Sequence, residues 1–180
     1  MPPPLSLKRL LLENYIAQPT VLLRRRVLER IGPLDESLRY CMDYEYWLRA
    51  ATAGLRFARV TEPPLATFRL RPGAKTSGDA AGWVQERLRV LERAFAAAPA
   101  HLRRLRRYAQ ARAHVTAAYT AALSGDVRTA RPLLRQALAI TPAILADRQF
   151  LNVSIEAVLG SRASQSIRRA KWAALRSLQP

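Results

Sequence analysis

From Trp83 onward, apolar side chains recur three or four residues apart, and only a few prolines and glycines interrupt them. That pattern restricts the fold to a stack of amphipathic helices. Val84, Leu88, Leu91 and Phe95 form the stripe of a helix over Trp83–Ala97, which Pro99 breaks. Leu102–Leu123 reads as a second long helix, ended by Ser124-Gly125. Val127–Ile140 reads as a third, with Val127, Ala130, Leu134, Ala137 and Leu138 inward. Pro142 starts the next, which runs to about Leu159 and stops at Gly160. Ser166–Leu178 is a last, basic helix. Ile167, Ala174, Leu175 and Leu178 share one side, with Arg168, Arg169, Lys171 and Arg176 around it. Such a helix can lie on anionic lipid with Trp172 at the headgroup boundary, or simply dock on its own domain.

Before residue 80 the pattern is different. Pro2–Pro4 cannot open a helix with satisfied amides, so this tip is expected to be loose. Ser6 can cap a short helix through Leu12, with Leu7, Leu10 and Leu11 on one side. Asn14–Pro19 reads as a loop and Thr20-Val21-Leu22-Leu23 as a short strand. Arg24–Ile31 follows as a helix, stopped by Gly32-Pro33. Asp43 stands where an N-cap would, its carboxylate within reach of the amides of Glu45 or Tyr46. The helix it opens runs to about Thr52, with Tyr44, Trp47, Leu48 and Ala51 inward. Leu55–Val60 and Leu65–Leu70 alternate like strands, and Arg71–Gly82 is loop. The expected fold class is an α/β fragment followed by an all-α region, mostly helical overall, with a few short strands before residue 80. The division falls into residues 1–80 and a helical tail over 81–180.

Charge narrows the partners. Thirty Lys and Arg face thirteen Asp and Glu, for a net charge of +17. Only three of the thirty are lysines, a bias that a GC-rich genome also produces. Residues 1–82 carry a net +5 and residues 83–180 a net +12, so the tail is the stronger candidate for an anionic contact. The alternative is a solvated helical face rich in arginine. There is no zinc-finger spacing, aromatic RNA-binding signature or basic-region zipper, so nothing points to specific nucleic acid. Cys41 is the only cysteine, which rules out an intrachain disulfide and a cysteine zinc cluster. His101 and His114, thirteen apart, lack companion ligands, so no metal site is expected. No apolar run reaches the roughly 20 residues of a membrane span, and the first residues lack the features of a signal peptide. The chain therefore reads as cytoplasmic, with peripheral attachment to the inner membrane face as the lipid-binding variant.

One stretch departs from the rest. Leu34–Arg49 holds four of the thirteen carboxylates and one of three tryptophans in sixteen residues. By spacing alone, Asp43 is a helix cap first and a catalytic carboxylate second. Three blocks bear on the choice: Asn14-Tyr15-Ile16-Ala17-Gln18-Pro19-Thr20-Val21-Leu22-Leu23-Arg24-Arg25, then Ile31-Gly32-Pro33-Leu34-Asp35-Glu36-Ser37-Leu38, then Met42-Asp43-Tyr44-Glu45-Tyr46-Trp47-Leu48-Arg49. Together, in this order and spacing, they resemble the second half of a family 2, GT-A-type inverting glycosyltransferase. Leu65–Thr76 resembles the segment that follows in that family. The resemblance covers roughly residues 5–80.

The resemblance implies sugar transfer from a nucleotide-diphosphate sugar to a saccharide or lipid-linked acceptor, with Asp43 as the base. Asn14 and Gln18 would line the acceptor side. Trp47 would support the wall and Arg49 would brace a carboxylate or phosphate. Arg71 and Lys75 become possible phosphate contacts; many relatives carry a metal-side His where Arg71 stands, and arginine cannot ligate a metal. The family's nucleotide-binding half precedes this region and carries an Asp-any-Asp motif, and no two Asp residues here are separated by a single residue. The implied protein is thus a truncated or split form, inactive alone. A divalent metal (Mg or Mn) is expected only with the missing half, which would be a separate N-terminal partner. Apolar surface on Leu5–Leu12 and Val21–Leu23 would then be left bare.

The tail has its own resemblance. Residues 111–144 are similar to one tetratricopeptide repeat, with Ala118, Gly125, Ala130, Leu134, Ala137 and Pro142 at the right mutual spacings and Ala121 in place of the usual aromatic. One repeat cannot bury its faces alone, so this helix pair is expected to pack on the preceding part. The competing function is a non-catalytic basic helical module that binds protein or an anionic membrane.

Overall fold

The computed structural model describes residues 6–58 and 79–157. The Pro2–Pro4 tip, the Leu65–Leu70 strand, Arg71, Lys75 and the Ser166–Leu178 helix lie outside these residues. Among the described residues the protein is mostly helical and holds no strand. Its helices are α1 (Leu7–Leu12), α2 (Arg25–Ile31), α3 (Met42–Thr52), α4 (Ala80–Ala97), α5 (Ala100–Arg103), α6 (Arg106–Leu123), α7 (Val127–Ile140) and α8, described over 148–157.

The expected strand at Thr20–Leu23 is absent. Pro19 opens a single 3-10 turn over Gln18–Thr20 instead. The amides of Thr20 and Val21 bond locally to Ala17 and Gln18, and the Thr20 hydroxyl donates to the Ala17 carbonyl at 2.7 Å. A strand needs a neighbour for its amides, and none stands beside this one among the described residues. Residues 55–58, the described part of the second expected strand, are likewise irregular.

Short helices in the first part are fixed by side chains. Ser6 caps α1 by accepting the Arg9 amide. Leu10 and Leu11 are then fully buried, contrary to the expectation of a bare surface there. Each such leucine contributes on the order of 1.5–3 kcal/mol through burial. The Tyr44 hydroxyl donates to the Leu10 carbonyl at 2.7 Å, tying α1 to α3. Gly32 ends α2 at φ 77°, a left-handed conformation that costs other residues strain. Arg49 on α3 grips this turn, donating to the Ile31 carbonyl and, at 2.8 Å, to the Pro33 carbonyl, while a two-point pair with Glu45 holds it in place.

The tail is built differently. Asp79 caps α4 by accepting the Gly82 amide at 2.9 Å. The expected helix over Leu102–Leu123 is two helices, α5 and α6. After Pro99 the amides of Leu102 and Leu105 bond three residues back, a tighter turn than an α-helix sustains. That turn brings Leu102, Leu105 and Ala109 into one apolar cluster. Ser124-Gly125 separates α6 from α7, with Gly125 at φ 80° and Asp126 capping α7 through the Thr129 amide. Ala111, Ala118, Ala130 and Ala137 are fully buried, and small side chains of this kind let α6 and α7 approach closely. Pro142 opens a 3-10 turn to Ala146 rather than a continuous helix. Asp147 then restarts the chain as α8, its Oδ1 accepting the amides of Gln149 and Phe150.

Two apolar clusters result. One gathers α1, α3, the C-terminal half of α4 and the start of α6. The other gathers α6, α7, Ile144 and α8, with Val84 of α4. Because α4 and α6 serve both, the tail packs directly on the first part.

Candidate functional site

A cleft of about 560 Å³ opens beside the N-termini of α3 and α4 and along α6. Asp43, Asn14, Glu13, Trp83, Arg87 and Arg112 form its walls, with Tyr40, Asp79 and Asp126 also lining it. Four carboxylates therefore face two guanidinium groups, an acidic site in a strongly basic protein.

Asp43 is not the cap of α3. Cys41 takes that place, and its carbonyl accepts the Glu45 amide at 2.8 Å. Asp43 sits one residue inside the helix. Its Oδ1 accepts the Tyr44 amide at 2.7 Å and its Oδ2 faces Asn14 Nδ2 at 3.5 Å. The start of α3 is held instead by a residue 45 to 47 positions away. The Glu86 carboxylate on α4 accepts the amides of Arg39, Tyr40 and Cys41 at 2.9, 2.6 and 2.6 Å. Glu86 thus fixes the turn that leads into α3, while Asp43 binds the first-turn amide of Tyr44 through Oδ1 and keeps Oδ2 beside Asn14 on the cleft wall.

The other residues singled out in sequence are scattered. Asn14 lines the cleft, and its Oδ1 is buried without a hydrogen-bond partner among the described residues. Gln18 is exposed in the 3-10 turn and does not line the cleft. Trp47 lies in the core, edge-on to Tyr46 with ring centroids 5.7 Å apart, and forms no part of the wall. Arg49 braces a carboxylate, that of Glu45, on the far side of α3.

Sequence reasoning missed Glu86, Arg87, Arg112 and Asp147. Arg87 had a visible signal. It stands three residues after Val84 and four before Leu91, inside the apolar stripe of α4, where a charge calls for a reason. Its guanidinium lies over the rings of Tyr44 at 4.2 Å and Trp83 at 5.1 Å. Arg112 donates to the Leu12 carbonyl at 3.1 Å and pairs with the buried Asp147 at 2.5 Å. The Tyr108 hydroxyl also donates to that carboxylate at 2.9 Å. This network ties α1, α6 and the start of α8 behind the cleft.

Cys41, buried at the start of α3, is no nucleophile. Burial pushes its thiol up to about 12, only partly offset by Arg87, so the thiolate is scarce at neutral pH. Burial likewise raises the Tyr44 hydroxyl to about 12. Asp79 is held below the usual carboxylate range by the Gly82 amide and the Tyr40 hydroxyl. Among the described residues no three His, Cys, Asp or Glu side chains come together in a way that could hold a metal ion. The donor set does not fit Mg or Mn, and no chemical step is routed through one. His101 is exposed, whereas His114 is buried among the α6–α7 contacts.

No protein-family model, curated protein or solved structure matches this chain.

Proposed function

We propose that this chain carries the acceptor-side half of an inverting, nucleotide-sugar-dependent glycosyltransferase, with Asp43 as its base. The observation that supports this reading is the position of Asp43: a half-exposed carboxylate on the wall of a small-ligand-sized cleft, with Oδ1 on the Tyr44 amide and Oδ2 adjacent to Asn14. In the proposed reaction an acceptor hydroxyl forms a bond to the anomeric carbon of the donor sugar. The bond from that carbon to the diphosphate breaks, its electron pair leaves with the diphosphate, and the hydroxyl proton passes to the Asp43 carboxylate. The nucleotide diphosphate is held by a donor half beyond the described residues, with Arg71 and Lys75 as phosphate contacts on this chain. Leu22, 92% exposed, with the partly bare Leu23 and Leu28, offers an apolar surface for a separate half.

The test uses tagged chain recovered under native conditions from its own cells, so that any separate half comes with it. Incubated with labelled UDP- and GDP-sugars, it transfers label to a saccharide or lipid-linked acceptor. Asp43→Asn lowers that transfer about 10²–10⁴-fold with unchanged circular dichroism. No transfer, or equal transfer by Asp43→Asn, overturns the reading.

A second reading is a non-catalytic basic module working at the inner membrane face or on another protein. Its support is the tail's exposed residues, which include the apolar Leu123, Leu138, Leu145, Leu151 and Ile155 and the basic Arg128, Arg135 and Arg148. No helix among the described residues is long and apolar enough to cross a membrane, so attachment would be at the surface. Cosedimentation with phosphatidylserine vesicles that disappears on deleting residues 161–180 would favour this reading. Binding that ignores salt would remove its electrostatic basis.

A further inference from the structure

Two residues that line the same cleft carry unpartnered polar atoms. Arg87 is 3% exposed, its Nε is buried without a hydrogen-bond partner, and it forms no ion pair among the described residues. Asn14 Oδ1 is a buried acceptor without a donor. The rings of Tyr44 and Trp83 offset part of the cost of holding a cation away from water, but they leave the guanidinium's Nε–H unmatched. The other guanidinium of the cleft, Arg112, is already paired with Asp147. The unmet demand is therefore one anionic acceptor for Arg87 and one hydroxyl or amine donor for Asn14.

We propose that the cleft binds a carboxylated sugar of the uronate class, with its carboxylate on Arg87 and a hydroxyl donating to Asn14 Oδ1 beside Asp43. A carboxylate fits better than a phosphate. A single planar guanidinium matches a singly charged carboxylate in two-point geometry, while a phosphate dianion would meet Glu13, Asp43, Asp79 and Asp126 around the same space. A sugar fits better than a simple acid. The carboxylates and Asn14 accept hydroxyl donors, and Trp83 adds an aromatic wall of the kind that sugar rings pack against. The volume of about 560 Å³ lies within the roughly 300–1,000 Å³ of small-ligand sites and leaves room beyond one ring. That this sugar is the acceptor rests on the glycosyltransferase reading; that it binds does not.

Isothermal titration of the full chain with glucuronate, glucuronate methyl ester, glucose and glucose 6-phosphate tests the assignment. Glucuronate is expected to bind at least about tenfold more tightly than glucose or the ester, the size of one charge-assisted hydrogen bond. Arg87→Gln abolishes that preference. The comparison of acid with ester on the unaltered chain decides the matter even where Arg87→Gln does not fold. Equal affinity for acid and ester, tighter binding of the sugar phosphate, or no saturation below about 20 mM overturns the proposal. Sugar transfer to a neutral acceptor that excess glucuronate leaves unaffected overturns it while sparing the glycosyltransferase reading. Glucuronate binding without any sugar transfer retains the site and removes only its role as acceptor.

Discussion

Residues before 58 and residues after 79 hold their helices by different means. The first part has helices of six, seven and eleven residues, too short to persist alone. Polar bonds across long sequence separations fix them: Tyr44 to Leu10, Arg49 to Ile31 and Pro33, and Glu86 to residues 39–41. The tail has two helices of eighteen residues and one of fourteen; Asp79 and Asp126 cap α4 and α7 locally, and α6 and α7 pack through alanines. The cleft lies where the two constructions meet. Asp43 and Asn14 line it from the polar-bonded part, and Arg87 and Arg112 line it from the packed part. Damage to the first should therefore be abrupt and local to the site, and damage to the second should be graded.

Glu86→Ala is the most severe way to break that contrast. It removes one side chain from the tail and leaves three amides of the first part without an acceptor. A loss of about 3–5 kcal/mol is expected in urea unfolding. The turn into α3 should also loosen in the native state. Cys41, buried at its end, then reacts with a thiol reagent faster than in the parent protein. An unchanged thiol rate together with a small stability loss would mean that the turn holds itself.

This division explains what the sequence made legible. The periodicity of Val84, Leu91 and Phe95 and the breaks at Pro99 and Ser124-Gly125 predicted the long tail helices, because packing of a helical stripe is a local pattern. The bond from Glu86 to residues 39–41 has no local pattern. A glutamate two residues from an apolar position reads as solvated until its partner is known. Asp43 read as the cap because it stands one residue inside the start of α3, where its carboxylate does meet an amide, that of Tyr44. Thr20–Leu23 was misread because β-branched and apolar residues suit a strand only where a neighbouring strand exists. Arg87, a charge inside an apolar stripe, was the one site residue of α4 that periodicity could have exposed.

The packed side is probed by overfilling it. Ala137→Leu inserts three carbons where the parent side chain is fully buried between α6 and α7. The expected cost is about 1–3 kcal/mol, read as a lower urea midpoint with an unchanged slope. The thiol rate of Cys41 should stay at the parent value, because Ala137 belongs to the cluster remote from the α3 turn. A faster thiol rate here would show that the two constructions are coupled.

A smaller effect is expected from pH, through a buried histidine of the tail. Burial holds the His114 pKa below its ordinary value of 6.5, so the folded state resists a proton that the unfolded chain accepts. Protons then bind preferentially to the unfolded state, and stability falls as pH drops below about 6.5. The depressed carboxylates Asp35, Asp79 and Asp126 act only around and below 3.8, whereas the His114 effect sets in near 6.5. Thermal unfolding of His114→Gln should therefore be flatter than the parent between neutral and mildly acidic pH, and parallel to it at lower pH.

The smallest effect is expected from a bond that resembles the largest one. Glu92 is the second carboxylate of α4 and, like Glu86, it joins that helix to another element: Arg106 and Gln110 of α6 both donate to it. The surroundings differ. Arg106 and Glu92 side chains are 54% and 39% exposed, whereas Glu86 is 4% exposed. Water can replace the Arg106 bond, and ordering two long side chains costs entropy that the bond must first offset. Arg106→Ala should therefore change stability by less than about 1 kcal/mol, and less again at high salt, where the parent pair is already screened. The underlying physics is that a carboxylate on α4 fixes structure when the amides it binds have no solvent to turn to. A loss for Arg106→Ala as large as that for Glu86→Ala would show that the α4–α6 contact depends on polar bonds after all, and would erase the contrast between the two parts.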